Sequence, residues 1–432
     1  MKKIIRLTVL SAALKVSGIG LTFLFFLVAS NLSSDVEYGK FAAIFSLATI
    51  LGFAFLAGQH LTILRFWPAF DERETRAKAD QAARWSVVRV IQTSTLGALI
   101  ILGIIFLLPA LQFTTPEVLQ PAGALITLSL AFAFSEFAQS CLRARGEVLV
   151  SLSGREVLWR LLSISFLFLI GRTSGVTLIY IASGTLWGVT LLQLWLVYRD
   201  IAPPEKLSPQ DRRLMMRTSL WLWLSATVGP LSTHSGTIIV GIFLGPTAAG
   251  AYFAADRIAK LLSIALIAVN QVVGPVLSRE FHAGRLDQVR RLITLSSLIS
   301  GAICLVGCGA YLIFGRIALV LFSENYSDAF PALMILTAGQ AVNTLCGPNT
   351  MLMNMAGLER QNTMIMGFWS IAGLAALPMG AMFGGISGTA IAAAFIMAAW
   401  NLHIVWKCHA GLSVVPWDIR VLKNRQEQSR VI

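Results

Sequence analysis

Apolar runs of roughly span length recur along the chain, separated by short polar segments. A helix rising about 1.5 Å per residue needs about 20 residues to cross the hydrocarbon core of a bilayer. Twelve runs qualify as candidates: 8–30, 41–59, 86–108, 122–142, 157–171, 176–198, 218–244, 249–277, 292–314, 330–356, 364–383 and 389–406. The fifth is short, and its helix is expected to begin earlier, near Leu152. The pattern predicts an all-α membrane protein with twelve transmembrane helices.

The polar segments alternate in charge. Every second one is rich in Lys and Arg, and together these hold 26 of the 34 basic residues. The intervening segments hold only Lys40, Arg172 and Arg316. Basic loops stay on the cytoplasmic side, so both termini are expected there. Lys15 interrupts the first apolar run, which resumes to Ser30, so a retained helix is expected rather than a cleaved signal. The outer segments are short and exclude an extracytoplasmic domain. The largest inner loop, 59–86, carries the mixed-charge decade 71–80, which suits a solvated helix.

Composition supports this. Charged residues make up 13% of the chain and mean hydropathy is +0.74. Soluble domains carry about 25% charged residues, so a soluble core is excluded. The net charge of +13 sits in loops that would face membrane lipids, and nucleic acid is not expected as a partner. The five cysteines, Cys141, Cys304, Cys308, Cys346 and Cys408, form no disulfide framework or zinc pattern. No P-loop, nucleophile triad or metal cluster is present. No catalytic residue, metal or cofactor is therefore expected, and the chain is not read as an enzyme.

A weak repeat divides the chain. Residues 32–43 match residues 244–255 at Leu32/Leu244, Phe41/Phe253, Ala42/Ala254 and Ala43/Ala255. Both copies fall at the turn between the first and second helix of a half. The expected organisation is a six-helix lobe over 1–200, a cytoplasmic connector over 201–217 broken by Pro203, Pro204 and Pro209, a second lobe over 218–406 and a cytoplasmic tail over 407–432.

Four stretches resemble a known family: 32–41 with Tyr38-Gly39, Leu64-Arg65-Phe66 ending span two, Trp159-Arg160 opening span five, and 244–252. They are similar to the polysaccharide flippases, the Wzx-type O-antigen and exopolysaccharide transporters of the multidrug/oligosaccharidyl-lipid/polysaccharide exporter superfamily. The resemblance implies two six-helix lobes around a central cavity in the bacterial inner membrane. It also implies export of an undecaprenyl-diphosphate-linked oligosaccharide to the outer leaflet. A polysaccharide polymerase and a chain-length regulator are then the protein partners to expect.

Charges within spans are costly, about 2.5–3.5 kcal/mol at the bilayer centre on insertion scales, so they usually face protein or a wet cavity. Span eight is richest. Asp256, Lys260, Ser263 and Asn270 share one face of a continuous helix, with Arg257 on its flank. The plain alternative is a self-neutralising Asp256–Lys260 pair that leaves Arg257 unpaired within the helix. Lys15 lies about 10 Å into span one, facing a cavity or snorkelling to the interface. Arg65 is either an ordinary loop cation or, as in related flippases, a cation at the cavity mouth. Glu136, deep in span four, and Asp256 are the candidates for binding a coupling ion, although Glu136 is better placed to pair with Arg89. Glu156 and Arg160 read as a structural i,i+4 pair, and His234 as a packing residue. In span ten, Asn343, Gln340, Asn349 and Asn354 suit sugar hydroxyls or helix packing. Pro230, Pro275, Pro348 and Pro378 interrupt spans seven, eight, ten and eleven.

Two rivals remain at this point. A cation-coupled drug exporter of the same superfamily prefers acidic cavity residues; here three deep cations (Lys15, Arg257, Lys260) face two acids (Glu136, Asp256). A membrane polymerase or ligase calls for a large outer loop, which is missing.

Overall fold

The computed structural model describes residues 2–110, 119–199, 207–418 and 420. Among them every regular element is helical: α1 (Lys2–Asn31), α2 (Asp35–Phe55), α3 (Gln59–Arg73), α4 (Arg76–Ala110), α5 (Leu119–Ala144), α6 (Val148–Leu152), α7 (Trp159–Ile170), α8 (Gly175–Tyr198), α9 (Pro209–Leu244), α10 (Pro246–Lys260), α11 (Ile264–His282), α12 (Leu286–Val320), α13 (Phe330–Cys346), α14 (Asn349–Met355) and α15 (Glu359–Leu412). Ten helical stretches are long and apolar enough to cross a membrane. The longest, α15, is two spans joined at Gly385, whose φ of 59° and ψ of −142° no α-helix contains. Its halves turn back on each other: Gly380 meets Gly388, Gly373 meets Ile396, and Trp369 Nε1 donates to His403 Nδ1 at 3.4 Å. The remaining span, α6 to α7, is interrupted by a π-helical turn at Ser153–Leu158. Twelve spans result, in the expected places, with the fifth starting at Val148.

The turns follow local chemistry. Ser34 caps α2 by accepting from the Glu37 amide, and Ser174 caps α8 from Thr177. Pro246 opens α10 after Gly245, whose φ is 89°. The repeat copies thus lie at matching helix–helix turns, and Phe41 and Phe253 are both fully buried. Phe26, Phe45 and Phe132 join α1, α2 and α5 through edge-to-face contacts at 5.2 and 5.4 Å.

Contacts gather into two compact units, Ala13–Gly241 and a second that joins the N-terminal residues up to Ala12 to those from Ile242 onward. The division falls beyond the proline-rich connector, of which 201–206 lie outside the described residues. Met215, near the start of α9, joins the core of the first unit, and Trp223 Nε1 donates to the Ala54 carbonyl at 2.9 Å.

The decade 71–80 is not a separate solvated helix. It straddles the junction of α3 and α4, and α3 buries Ile63, Phe66, Trp67 and Phe70 against α4 and α5. Hydrophobic spacing at 63, 66, 67 and 70 gives α3 its buried face. Asp80 is buried as well. Its carboxylate accepts from Arg145 Nη2 at 2.9 Å and Trp67 Nε1 at 3.2 Å, with Arg76 Nε at 3.6 Å.

Lys78 joins α4 to α9, reaching Asp211 at 2.8 Å and also contacting Glu74. Both Lys78 and Asp211 lie outside the apolar spans. Burial opposes the Lys78 ammonium, but its bonds to Asp211 and Glu74 outweigh this and raise its pKa. Burial likewise opposes the Asp211 charge, yet bonds from Lys78 and Ser208 hold its carboxyl below the usual range. A depressed carboxyl stabilises the fold above its unfolded pKa of about 3.9 and loses this as pH falls through the lower folded value. The stability difference between wild type and Asp211→Asn should therefore be level near neutrality and shrink below about pH 4. Thermal unfolding across pH measures it; a difference that grows on acidification contradicts the assignment.

Candidate functional site

In the first unit the helical repeat puts Glu136, Gln139, Ser140 and Arg143 on one face of α5. Glu136 is 8% exposed and takes two cations. Arg143 Nη2 donates to its Oε1 at 3.2 Å, and Arg155 Nη1 contacts Oε2. The pairing expected with Arg89 does not occur: Arg89 donates to Gln92 at 3.1 Å and stacks on Trp85. Arg143 wins because it shares the helix face, and Arg155 because the π-helical turn carries it to α5. Two guanidinium groups thus occupy the Glu136 carboxylate.

The π-helical turn brings further charge. Arg160 Nη1 donates to the carbonyls of Arg155 and Glu156 and to Glu156 Oε2 at 3.2 Å, so the expected Glu156–Arg160 pair forms. It also supplies donors to carbonyls at the interrupted helix. Gly18 of α1 packs directly on Glu156; a Cβ there would sit 2.8 Å from the Glu156 Cβ. Half-buried Lys15, one turn earlier, feels the charges of Glu156 and Arg143. His60, at the start of α3, is 3% exposed and lies in the field of Arg143 and Arg155. Arg65, further along α3, is exposed.

In the second unit, Asp256 of α10 is 8% exposed and serves both neighbouring cations. Lys260 Nζ lies 2.6 Å from its Oδ2 and Arg257 Nε lies 3.8 Å from the same atom. Arg257 also covers the Phe253 ring at 4.3 Å. Arg257 is thus not left unpaired. Nor is span eight one helix. A 3-10 turn at Leu261–Ser263 follows Lys260, and Ser263 Oγ donates to the Lys260 carbonyl at 2.7 Å. A continuous wheel therefore does not carry the Asp256–Lys260 face on to Ser263 and Asn270. The interruption also falls well before Pro275, which sits inside α11.

Span ten breaks at Gly347-Pro348, where Gly347 has φ 64°. Asn343 donates to Gln340 at 3.5 Å, Asn349 donates to the Cys346 carbonyl, and Asn362 donates to Asn354 at 3.0 Å. Pro230 and Pro378 lie within α9 and α15.

Among the described residues no group of three or more His, Cys, Asp or Glu could hold a metal. What the sequence reading missed is Arg143 and Arg155, both counted as loop cations. The spacing of Glu136, Ser140 and Arg143 was a usable signal for the first. Arg155 gave none, because its direction depends on the π-helical turn.

Twelve spans with charges set on α5, the π-helical turn and α10 define a multi-pass membrane protein. Solved structures carry the same fold. An inward-facing multidrug resistance MATE family transporter of the MOP superfamily superposes with a TM-score of 0.71 at 15% identity, covering 94% of each chain. A MOP superfamily transporter from Pyrococcus furiosus, described as having a binding pocket of reverse polarity, gives 0.64 at 15% identity, covering 94% of this chain and 95% of that one. The model of the family described as polysaccharide biosynthesis protein matches residues 5–281, and the chain belongs to that family. A probable flippase, AglR of Haloferax volcanii, is 24% identical over 275 residues. That match spans 57% of this chain and 56%, about half, of the relative.

Proposed function

We propose that the protein flips an oligosaccharide linked to undecaprenyl diphosphate across the bacterial inner membrane for surface polysaccharide assembly. Transport would proceed by alternating access, with both termini cytoplasmic. The observation that carries this reading is the sign of the embedded charge. Lys15, Arg143, Arg155, Arg160, Arg257 and Lys260 outnumber Glu136, Glu156 and Asp256. A diphosphate leaving water needs such compensation. Lys15 of the first unit and, separately, Arg257 and Lys260 of the second are proposed to contact it, with Arg65 at the entry and Asn343 meeting sugar hydroxyls. A polymerase and a chain-length regulator would act on the exported cargo. Family membership and the similarity to a probable flippase support the same class.

The second reading is a cation-coupled drug exporter, favoured by the shared fold with multidrug transporters. Asp256 would then bind the coupling ion. Proteoliposomes separate the two. The expected result is movement of a fluorescent diphosphate-linked oligosaccharide and none of a cationic dye. The reverse pattern would establish the exporter. Lengthening of the glycan instead of movement would identify an enzyme. Reporter fusions at Asn325 should behave as exported; a cytoplasmic signal there removes the proposed orientation.

A further inference from the structure

The charges around α5 do not balance. Lys15, Arg143, Arg155 and Arg160 stand against Glu136 and Glu156, leaving two positive charges in one partly buried cluster. An uncompensated charge away from water costs far more than a paired one. Donors are also left over. The Nε atoms of Arg143 and Arg160 and the Nε1 of Trp159 are buried with no hydrogen-bond partner among the described residues, as is His60 Nδ1, a donor only when it carries the ring proton. Trp159 and His60 are each 3% exposed. Buried donors are almost always satisfied, so a missing acceptor is indicated.

We propose that this cluster, formed by α1, α3, α5, the π-helical turn and α7 within the first unit, is a binding site for a doubly charged phosphate-class anion. A diphosphate diester carries one negative charge on each phosphate and matches the excess. Planar guanidinium groups suit its oxygens, and Arg143 can offer Nε while its Nη2 stays on Glu136 and Ser140. Arg160 is largely occupied with the π-helical carbonyls, so Arg143, Arg155 and Lys15 carry the recognition. Glu136 then acts as a positioning residue: it aims two arginines and competes with the ligand for them. Assigning the anion to transported cargo rests on the flippase reading; the existence of the site does not.

The test is titration of purified full-length protein with inorganic pyrophosphate, against chloride at matched ionic strength, following thermal unfolding. Saturable stabilisation by pyrophosphate beyond chloride is expected. Arg143→Gln should weaken it about tenfold, the scale of one lost hydrogen bond to a charged group. Glu136→Gln should leave binding equal or tighter, which a purely structural carboxylate would not do. If Arg143→Gln does not fold, Lys15→Gln tests the same point, since Lys15 forms none of the ion pairs described. Failure of wild type to saturate, or wild-type affinity in the folded cation variant, defeats the proposal. Farnesyl diphosphate binding more tightly than pyrophosphate assigns the site to a lipid-linked anion; equal binding assigns it to a free one. Pyrophosphate binding by a protein that moves no lipid-linked cargo leaves the site standing and removes the flippase reading.

Discussion

Lys260→Ala should sharply lower the amount of folded protein in the membrane, and Asp256→Asn combined with Lys260→Met should restore it. The reason is the environment of Asp256, which is 8% exposed and held 2.6 Å from Lys260. Removing one partner of a buried pair costs about 3–5 kcal/mol because the other charge stays behind. Arg257, at 3.8 Å and committed also to the Phe253 ring, compensates only in part. Replacing the pair by groups of similar shape removes the penalty along with the charges. Transport by the restored variant is then informative. On the proposed flippase reading, flipping should be impaired, and lost when Arg257→Ala is added. Arg257→Lys in the wild-type background should recover only part, since a point charge lacks the planar fork. Abundance and flipping need to be measured on the same membranes. Wild-type transport by an abundant Asp256→Asn, Arg257→Ala, Lys260→Ala protein would take these cations out of the mechanism.

Asp80→Ala should destabilise the first unit by about 3–5 kcal/mol without any direct role in cargo binding. The change strands Arg145, whose side chain is 5% exposed, and leaves Trp67 Nε1 without its acceptor. Arg145 also donates to the Val197 carbonyl, so the damage extends to the end of α8. Asp80→Asn keeps an acceptor for Trp67 and should fall between. The check is loss of thermal resistance in detergent, read as a double-mutant cycle with Arg145→Ala. An additive cycle would mean that the two side chains do not support each other.

The spans were legible because span length is set by the solvent rather than by neighbours. Twelve apolar runs became twelve spans, and Gly385 was no obstacle, since two runs were already visible on either side of it. Local interruptions were harder to read. The 3-10 turn after Lys260 lies in an apolar stretch with no Gly or Pro at 261–263, so nothing local announces it. Asp80 looked solvated because its neighbours in the chain are charged; its partners, Arg145 and Trp67, lie 65 and 13 residues away. Glu136 illustrates both limits. Its partner on the same helix follows from spacing, whereas Arg155 arrives through a departure from regular helix that spacing cannot express. On site residues, the deep cations of spans one and eight stood out by cost alone. The arginines of 142–155 were hidden by the same rule that orients loops, which treats every basic residue near a span end as equivalent.

The π-helical turn at Ser153–Leu158 makes the length of this segment as consequential as its composition. Closing bonds between residues five apart, it holds one residue more than an α turn would. Deleting a single residue there would let α6 and α7 merge into one regular rod. Every side chain on one side of the deletion would then rotate by about 100° relative to the other. Arg155 would swing away from Glu136, or Arg160 away from the carbonyls it serves. An indel at this place would act like the loss of an arginine while leaving all of them in the chain.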